Sequence, residues 1–151
     1  MVRTTNVKRR VLFLCTGNSA RSQMAEAIVN TQLGSTWEAV SAGTQPAGYV
    51  HPKAVAALGE IGINWRVHTS KHADQFRDVP FDLVVTVCDD AAENCPVWLG
   101  QGKRVHLGFP DPAKATGNDE EVMAVFRSVR DAIAEQVPAL LRNWTDGRSD
   151  N

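Results

Sequence analysis

Little in this chain is extreme, and its shortages are informative. The 151 residues hold three cysteines and one tyrosine, and Lys plus Arg nearly balance Asp plus Glu, leaving a formal net charge of -1. A chain so close to neutral lacks the basic surplus that nucleic acid or an anionic membrane would demand of a partner, so neither is expected. No apolar stretch approaches membrane-spanning length. Val11 to Leu14 is too short for a signal-peptide core, even with Arg3, Lys8, Arg9 and Arg10 ahead of it. A cytoplasmic protein is expected. Three cysteines cannot all pair within one chain, and in a cytosolic setting disulfides are usually transient and catalytic. No CxxC spacing occurs, and His51, His68, His72 and His106 show no ligand spacing, so no metal site is expected. Repeats, low-complexity segments and linkers are also missing. Residues 1–151 therefore read as a single domain with one sizeable core, its ends 1–7 and 145–151 expected to be flexible.

What the chain does possess is concentrated in Val11-Leu12-Phe13-Leu14-Cys15-Thr16-Gly17-Asn18-Ser19-Ala20-Arg21-Ser22, followed by Gln23-Met24-Ala25-Glu26-Ala27-Ile28. Four apolar residues running into a cysteine predict a buried parallel strand. Small residues make the next loop, and Met24, Ala27 and Ile28 at helical spacing predict a helix from near Arg21 to Leu33. A strand, short loop and helix in that order aim the backbone N–H groups of Thr16, Gly17, Asn18, Ser19, Ala20, Arg21 and Ser22 at one point. Together with the helix N-terminus they make a cradle for a tetrahedral oxyanion. Cys15 at one end is a nucleophile whose thiolate such a cradle favours. Arg21 at the other end can grip two anion oxygens with its planar fork, and the Ser22 hydroxyl is placed to bond the sulfur.

Further strands are predicted at Trp37–Ser41, at Asp82–Val87 ending on Cys88, and at Lys103–Leu107. Helices are predicted from His51-Pro52, with Val55, Leu58 and Ile61 inward, and from about Asp119, with Pro138 kinking or interrupting the latter. Alternating strands and helices predict an α/β fold with a parallel sheet covered on both faces. Ligands of such sheets bind beyond the carboxyl ends of the strands. Cys15 and Cys88 each end a strand and Asp111 follows the last one, so all three gather at one edge. Cys88 and Cys95 are seven residues apart, ~10.5 Å along a helix, whereas a disulfide needs Cα atoms ~4.4–6.8 Å apart. Either they are two buried thiols or the segment must unwind when oxidised.

The run Cys15-Thr16-Gly17-Asn18-Ser19-Ala20-Arg21-Ser22 resembles the phosphate-binding loop of the low-molecular-weight tyrosine phosphatase superfamily. Gln23-Met24-Ala25-Glu26 is similar to its thioredoxin-coupled arsenate reductase branch. Ser41-Ala42-Gly43-Thr44, Asn64 to Ser70, and Gly108-Phe109-Pro110-Asp111-Pro112-Ala113 extend the resemblance to roughly Lys8–Asn143. It implies a single-domain three-layer α/β/α fold with a four-stranded parallel sheet. It also implies reduction of arsenate to arsenite, for arsenic detoxification, by a relay of thiols. Cys15 attacks arsenate and Asp111 protonates the leaving oxygen. Cys88 then attacks Cys15 and releases arsenite, and Cys95 attacks Cys88 to present a Cys88–Cys95 disulfide to thioredoxin. Thioredoxin is thus an external reductant and partner, no cofactor is bound, and phosphate or sulfate would compete. The alternatives are a phosphotyrosine or small-phosphoester phosphatase, or a reductase served by a low-molecular-weight thiol. Weak phosphatase activity is expected beside the main reaction. Some relatives hold potassium behind the loop with residues matching Asn18, Glu26 and Ser41 plus an aspartate. Lys71 stands at the aspartate position, and its ammonium is expected to replace the ion.

Overall fold

The computed structural model describes residues 8–66, 68–89, 98 and 100–144. Cys95 and both chain ends expected to be flexible lie outside that set. Strand β1 (Arg9–Cys15) leads through helix α1 (Arg21–Gln32) to β2 (Trp37–Gly43) and α2 (Pro52–Glu60). Then come β3 (Leu83–Thr86), β4 (Lys103–His106) and α3 (Asp119–Arg142), with 3-10 turns at Ala73–Phe76 and Pro112–Lys114. All four strands are parallel, in the order β2-β1-β3-β4. The architecture is the α/β one that the alternating pattern predicts.

β1 lies inside the sheet because it can bury both its faces. Val11, Phe13 and Cys15 join a core with Met24 and Ile28 of α1, Leu58 of α2, and Phe126 and Ile133 of α3. Leu12 and Leu14 face the other way, onto Ala73, Phe81, Val84 and Trp98. Each such side chain stabilises the fold by ~1.5–3 kcal/mol relative to an exposed one. The helices α1 to α3 therefore share one face, and among the described residues the opposite face is covered by the Ala73–Phe76 turn, Val79, Phe81 and Trp98. Trp98 packs edge-on against Phe81, and Trp37 packs the same way against Trp144.

Two local expectations need correction. On α2 the inward side is Ala54, Ala57 and Leu58, whereas Val55 is half-buried and Ile61 is 42% exposed. The helix stops at Glu60, so the helical period no longer carries Ile61 inward. Of the two outcomes expected at Pro138, interruption does not occur: α3 continues to Arg142 with the proline ring buried. Its missing N–H costs one bond to a carbonyl near the helix end, and core packing of the last turn outweighs that loss.

Helix starts differ in a way that matters below. Asn118 and Glu121 form a reciprocal capping box on α3, and His51 Nδ1 caps α2 by accepting the Lys53 N–H at 3.1 Å. Ala20, ahead of α1, contributes no side-chain cap. β1 is flanked by β2 on one side and β3 on the other, so the chain reverses its progress across the sheet there. The crevice at the carboxyl ends of β1 and β3 is the place where such sheets take ligands.

Candidate active site

The loop after β1 is shaped from outside by residues 45–51. Gln45 N–H donates to Thr16 O (2.9 Å), Ala47 N–H to Gly17 O (2.9 Å) and His51 N–H to Ser19 O (2.8 Å). With those carbonyls held outward, the loop amides turn toward the concave side. The first N–H groups of α1 have no side-chain cap, so they add to the same concavity. Gly43, paired with Cys15 across β2, permits this closeness: a Cβ there would lie 2.3 Å from Thr16 O.

Beneath the loop lies a network of buried polar groups centred on Asn18, which adopts a left-handed φ of 50°. The Lys71 backbone N–H, a fixed donor, is 2.8 Å from Asn18 Oδ1, which settles the amide's orientation. Asn18 Nδ2 then donates to Ser22 Oγ (2.8 Å) and Ser41 Oγ (2.9 Å). The Ser41 hydroxyl in turn donates a hydrogen bond to Glu26 Oε1 (2.5 Å). When Cys15 is the thiolate, Ser22, whose hydroxyl accepts from Asn18, donates its proton to the hydrogen bond with Cys15 Sγ at 2.9 Å. The Asn18 backbone N–H reaches the same sulfur at 3.2 Å. Gln23 Nε2 braces Asn18 through Oδ1 (2.9 Å) and also reaches Thr69 O (3.0 Å), while Trp65 Nε1 donates to Gln23 Oε1 (2.8 Å). Burial holds the Glu26 carboxyl above its ordinary range, opposed by the Ser41 hydrogen bond and the Lys71 ammonium 3.8 Å away.

Cys15 is a buried free thiol at the floor of a cleft of about 380 Å³. Residues Cys15 to Arg21 line it together with Thr44, Gln45, Asp111 and Lys114. Arg21 is almost wholly buried; its Nη1 donates to Phe109 O (3.2 Å) and its Nη2 lies 3.6 Å from Asp111 Oδ2. That holds the guanidinium edge beside the loop and ties Asp111 to the same wall. Asp111 also caps the Pro112–Lys114 turn, its Oδ1 accepting the Ala113 N–H at 3.0 Å. The structure thus places Cys15, Thr16, Gly17, Asn18, Ser19, Ala20, Arg21 and Asp111 around one cleft. Ser22 stands behind the sulfur and is not part of the cleft lining. Cys88 lies two residues beyond the end of β3, is fully buried and is disulfide-bonded. Val87 N–H donates to Leu14 O (2.9 Å), so the chain ends of β1 and β3 stay side by side up to these two cysteines. Cys95 is outside the described residues.

A match to the family described as low molecular weight phosphotyrosine protein phosphatase spans residues 10–148. The chain belongs to that family. An arsenate reductase from Halalkalibacterium halodurans is 51% identical over 130 residues, covering 86% of this chain and 93% of that protein. The solved arsenate reductase from Archaeoglobus fulgidus is 33% identical with a TM-score of 0.74, covering 88% and 99% of the two chains. A thioredoxin-dependent arsenate reductase from Corynebacterium glutamicum is 26% identical with a TM-score of 0.61, covering 91% of this chain and 64% of that one.

Sequence reading missed Thr44, Gln45 and Lys114 on the cleft wall and Gln23 and Trp65 behind the family loop. Loops distant in sequence bring the wall residues in. Usable signals existed for Lys114, one turn beyond the expected acid, and for Thr44 and Gln23, which sit in the runs that carry the resemblance. No helix of the described residues is long and apolar enough to cross a membrane.

Proposed function

We propose that this protein reduces arsenate to arsenite in arsenic detoxification, through successive thiol exchange completed by thioredoxin. The observation that carries the reading is the redox contrast at one sheet edge: Cys15 is a free thiol in an anion cradle, while Cys88 at the end of the adjoining strand is in a disulfide. Hydrolysis of a phosphoester has no use for a second, oxidised sulfur beside the nucleophile.

In the proposed cycle the Cys15 thiolate attacks arsenic held by the loop amides and Arg21. Asp111 gives a proton to the departing oxygen, which leaves as water, and an S–As bond forms with arsenic still pentavalent. The Cys88 thiolate then attacks Cys15 Sγ. The S–As electron pair goes to arsenic, arsenite departs, and a Cys15–Cys88 disulfide remains. Attack by Cys95 on Cys88 frees Cys15 and leaves a Cys88–Cys95 disulfide for the thioredoxin dithiol to reduce. A free Cys15 with Cys88 oxidised is the state such a cycle reaches before thioredoxin acts. Lys71 supplies, with its own ammonium beside Glu26, the positive charge some relatives take from potassium. Weak phosphoester hydrolysis should accompany the reaction because it needs the same nucleophile, arginine and acid. Recognition of an aryl ester is not favoured, since no aromatic ring lines the cleft among the described residues.

The test is NADPH oxidation by purified protein with arsenate, thioredoxin and thioredoxin reductase, for the wild type and each Cys→Ser variant. All three variants should lose turnover. Retention of thioredoxin-coupled turnover by Cys95→Ser would refute the relay, and turnover restored to it only by a small thiol would establish the low-molecular-weight reductant.

A further inference from the structure

We infer that Lys114 is a second cationic determinant of oxyanion recognition, acting on the charge of the incoming anion at the mouth while Arg21 grips it at the floor. The inference rests on the cleft being the oxyanion site of the reaction proposed above, and it concerns a residue that motif reading does not reach.

Lys114 lines the cleft with Cys15, Thr44, Gln45 and Asp111. It is the last residue of the Pro112–Lys114 turn, whose N-terminal cap is the Asp111 carboxylate. One rigid turn therefore presents an acid and a cation to the same wall. Lys114 N–H donates to Asp111 O at 3.2 Å, which closes the turn and fixes the base of the lysine chain relative to the acid. The guanidinium of Arg21 is already engaged with Phe109 O and lies near Asp111. Lys114, by contrast, is exposed and takes part in no salt bridge among the described residues.

Charge accounting makes the role specific. A doubly charged tetrahedral anion approaching the Cys15 thiolate brings negative charge that Arg21 alone does not balance. An exposed ammonium on the cleft wall offsets part of it during approach, and a cleft with low-dielectric walls focuses that field. The substrate class favoured is thus the small dianionic tetrahedral oxyanion rather than an apolar ester. Lys114 affects capture more than the chemical step.

The experiment reads the local potential at Cys15 without requiring turnover. Rates of alkylation of Cys15 by anionic iodoacetate and neutral iodoacetamide are measured by mass spectrometry of its peptide, and their ratio is compared among variants. Lys114→Met should lower the ratio roughly 3- to 10-fold at low salt, with the effect shrinking as salt is raised. Lys114→Arg should keep the ratio within about 2-fold, since charge is retained. Lys103→Met, which removes the same charge at the opposite end of the sheet, should leave it unchanged. Protection of Cys15 by sulfate should weaken in Lys114→Met and recover in Lys114→Arg. An unaltered ratio and unaltered sulfate protection in Lys114→Met would overturn the inference. If the ratio shifts as stated but wild-type protein fails to reduce arsenate, the reductase reading fails while the role of Lys114 stands.

Discussion

Replacing Asn18 by aspartate should slow the chemistry of Cys15 by drawing the Ser22 proton away from the sulfur. Asn18→Asp keeps the oxygen that accepts the Lys71 N–H at 2.8 Å, but turns the amide nitrogen facing Ser22 (2.8 Å) and Ser41 (2.9 Å) into a carboxylate oxygen. Ser22 has one proton and now two competing acceptors, the sulfur at 2.9 Å and the carboxylate, and the latter is the stronger. A hydrogen bond to a charged group contributes ~1.5–3 kcal/mol, so losing it should slow alkylation of Cys15 by iodoacetamide about 10- to 150-fold at pH ~8. Asn18→Ala gives a contrasting result. It leaves Ser22 free to serve the sulfur, so alkylation should fall much less. It also strips the Ser22, Ser41, Gln23 and Lys71 partners and puts alanine at a left-handed φ of 50°. At ~0.5–1.5 kcal/mol for each of the four hydrogen bonds and ~1–2 kcal/mol for the backbone, it should lose ~3–8 kcal/mol in urea denaturation. Alkylation of the Asn18→Asp protein within 2-fold of wild type would refute the assigned direction of the Ser22 proton.

Three other outcomes follow from the same geometry. The raised carboxyl of Glu26 means that the folded chain binds this proton more tightly than the unfolded chain does, so the contribution is complete below the ordinary value of 4.5 and lost as pH rises through the folded value. Glu26→Gln retains an acceptor for Ser41 and removes that loss. Its stability relative to wild type should climb between pH ~4.5 and ~7 in urea melts, and a flat or falling difference would contradict the burial argument. Gly43→Ala places a methyl 2.3 Å from Thr16 O and 3.1 Å from Asn18 N. It should destabilise the fold by ~1–3 kcal/mol and weaken sulfate binding measured by calorimetry; unchanged binding would show that the loop can move aside. Asp111→Asn preserves the cap on the Pro112–Lys114 turn but removes a transferable proton, so kcat for arsenate reduction should drop ~10²–10⁴-fold with little change in melting temperature. An unaltered kcat would reassign the acid.

Much of the site is legible in the chain because local rules converge there. Val11 to Leu14 can only be a doubly buried strand, the small residues after Cys15 permit a tight loop, and Met24, Ala27 and Ile28 give the helix its direction. Parallel topology then brings Cys88 and Asp111 to the same edge. What escapes is set by contacts between distant segments. Nothing near Gln23 announces that Trp65 will bond it, and nothing near Thr44 or Gln45 marks them as a wall. Ile61 misleads because its helical phase is correct while the helix ends one residue too soon. Pro138 does not end the helix because a rule about isolated helices meets a last turn anchored by buried Val137 and Leu141.

The hydrogen bonds from Gln45, Ala47 and His51 to Thr16, Gly17 and Ser19 carry a consequence for engineering. The signature loop is only half of its own mould, the other half being cast by a segment beyond β2. Transplanting Cys15–Ser22 onto a foreign strand–helix junction would carry the letters without the shape, and its carbonyls would be free to swing inward and repel the very anion the graft was meant to hold. A working transplant needs the downstream brace and the side-chain-free position at Gly43 to travel with it.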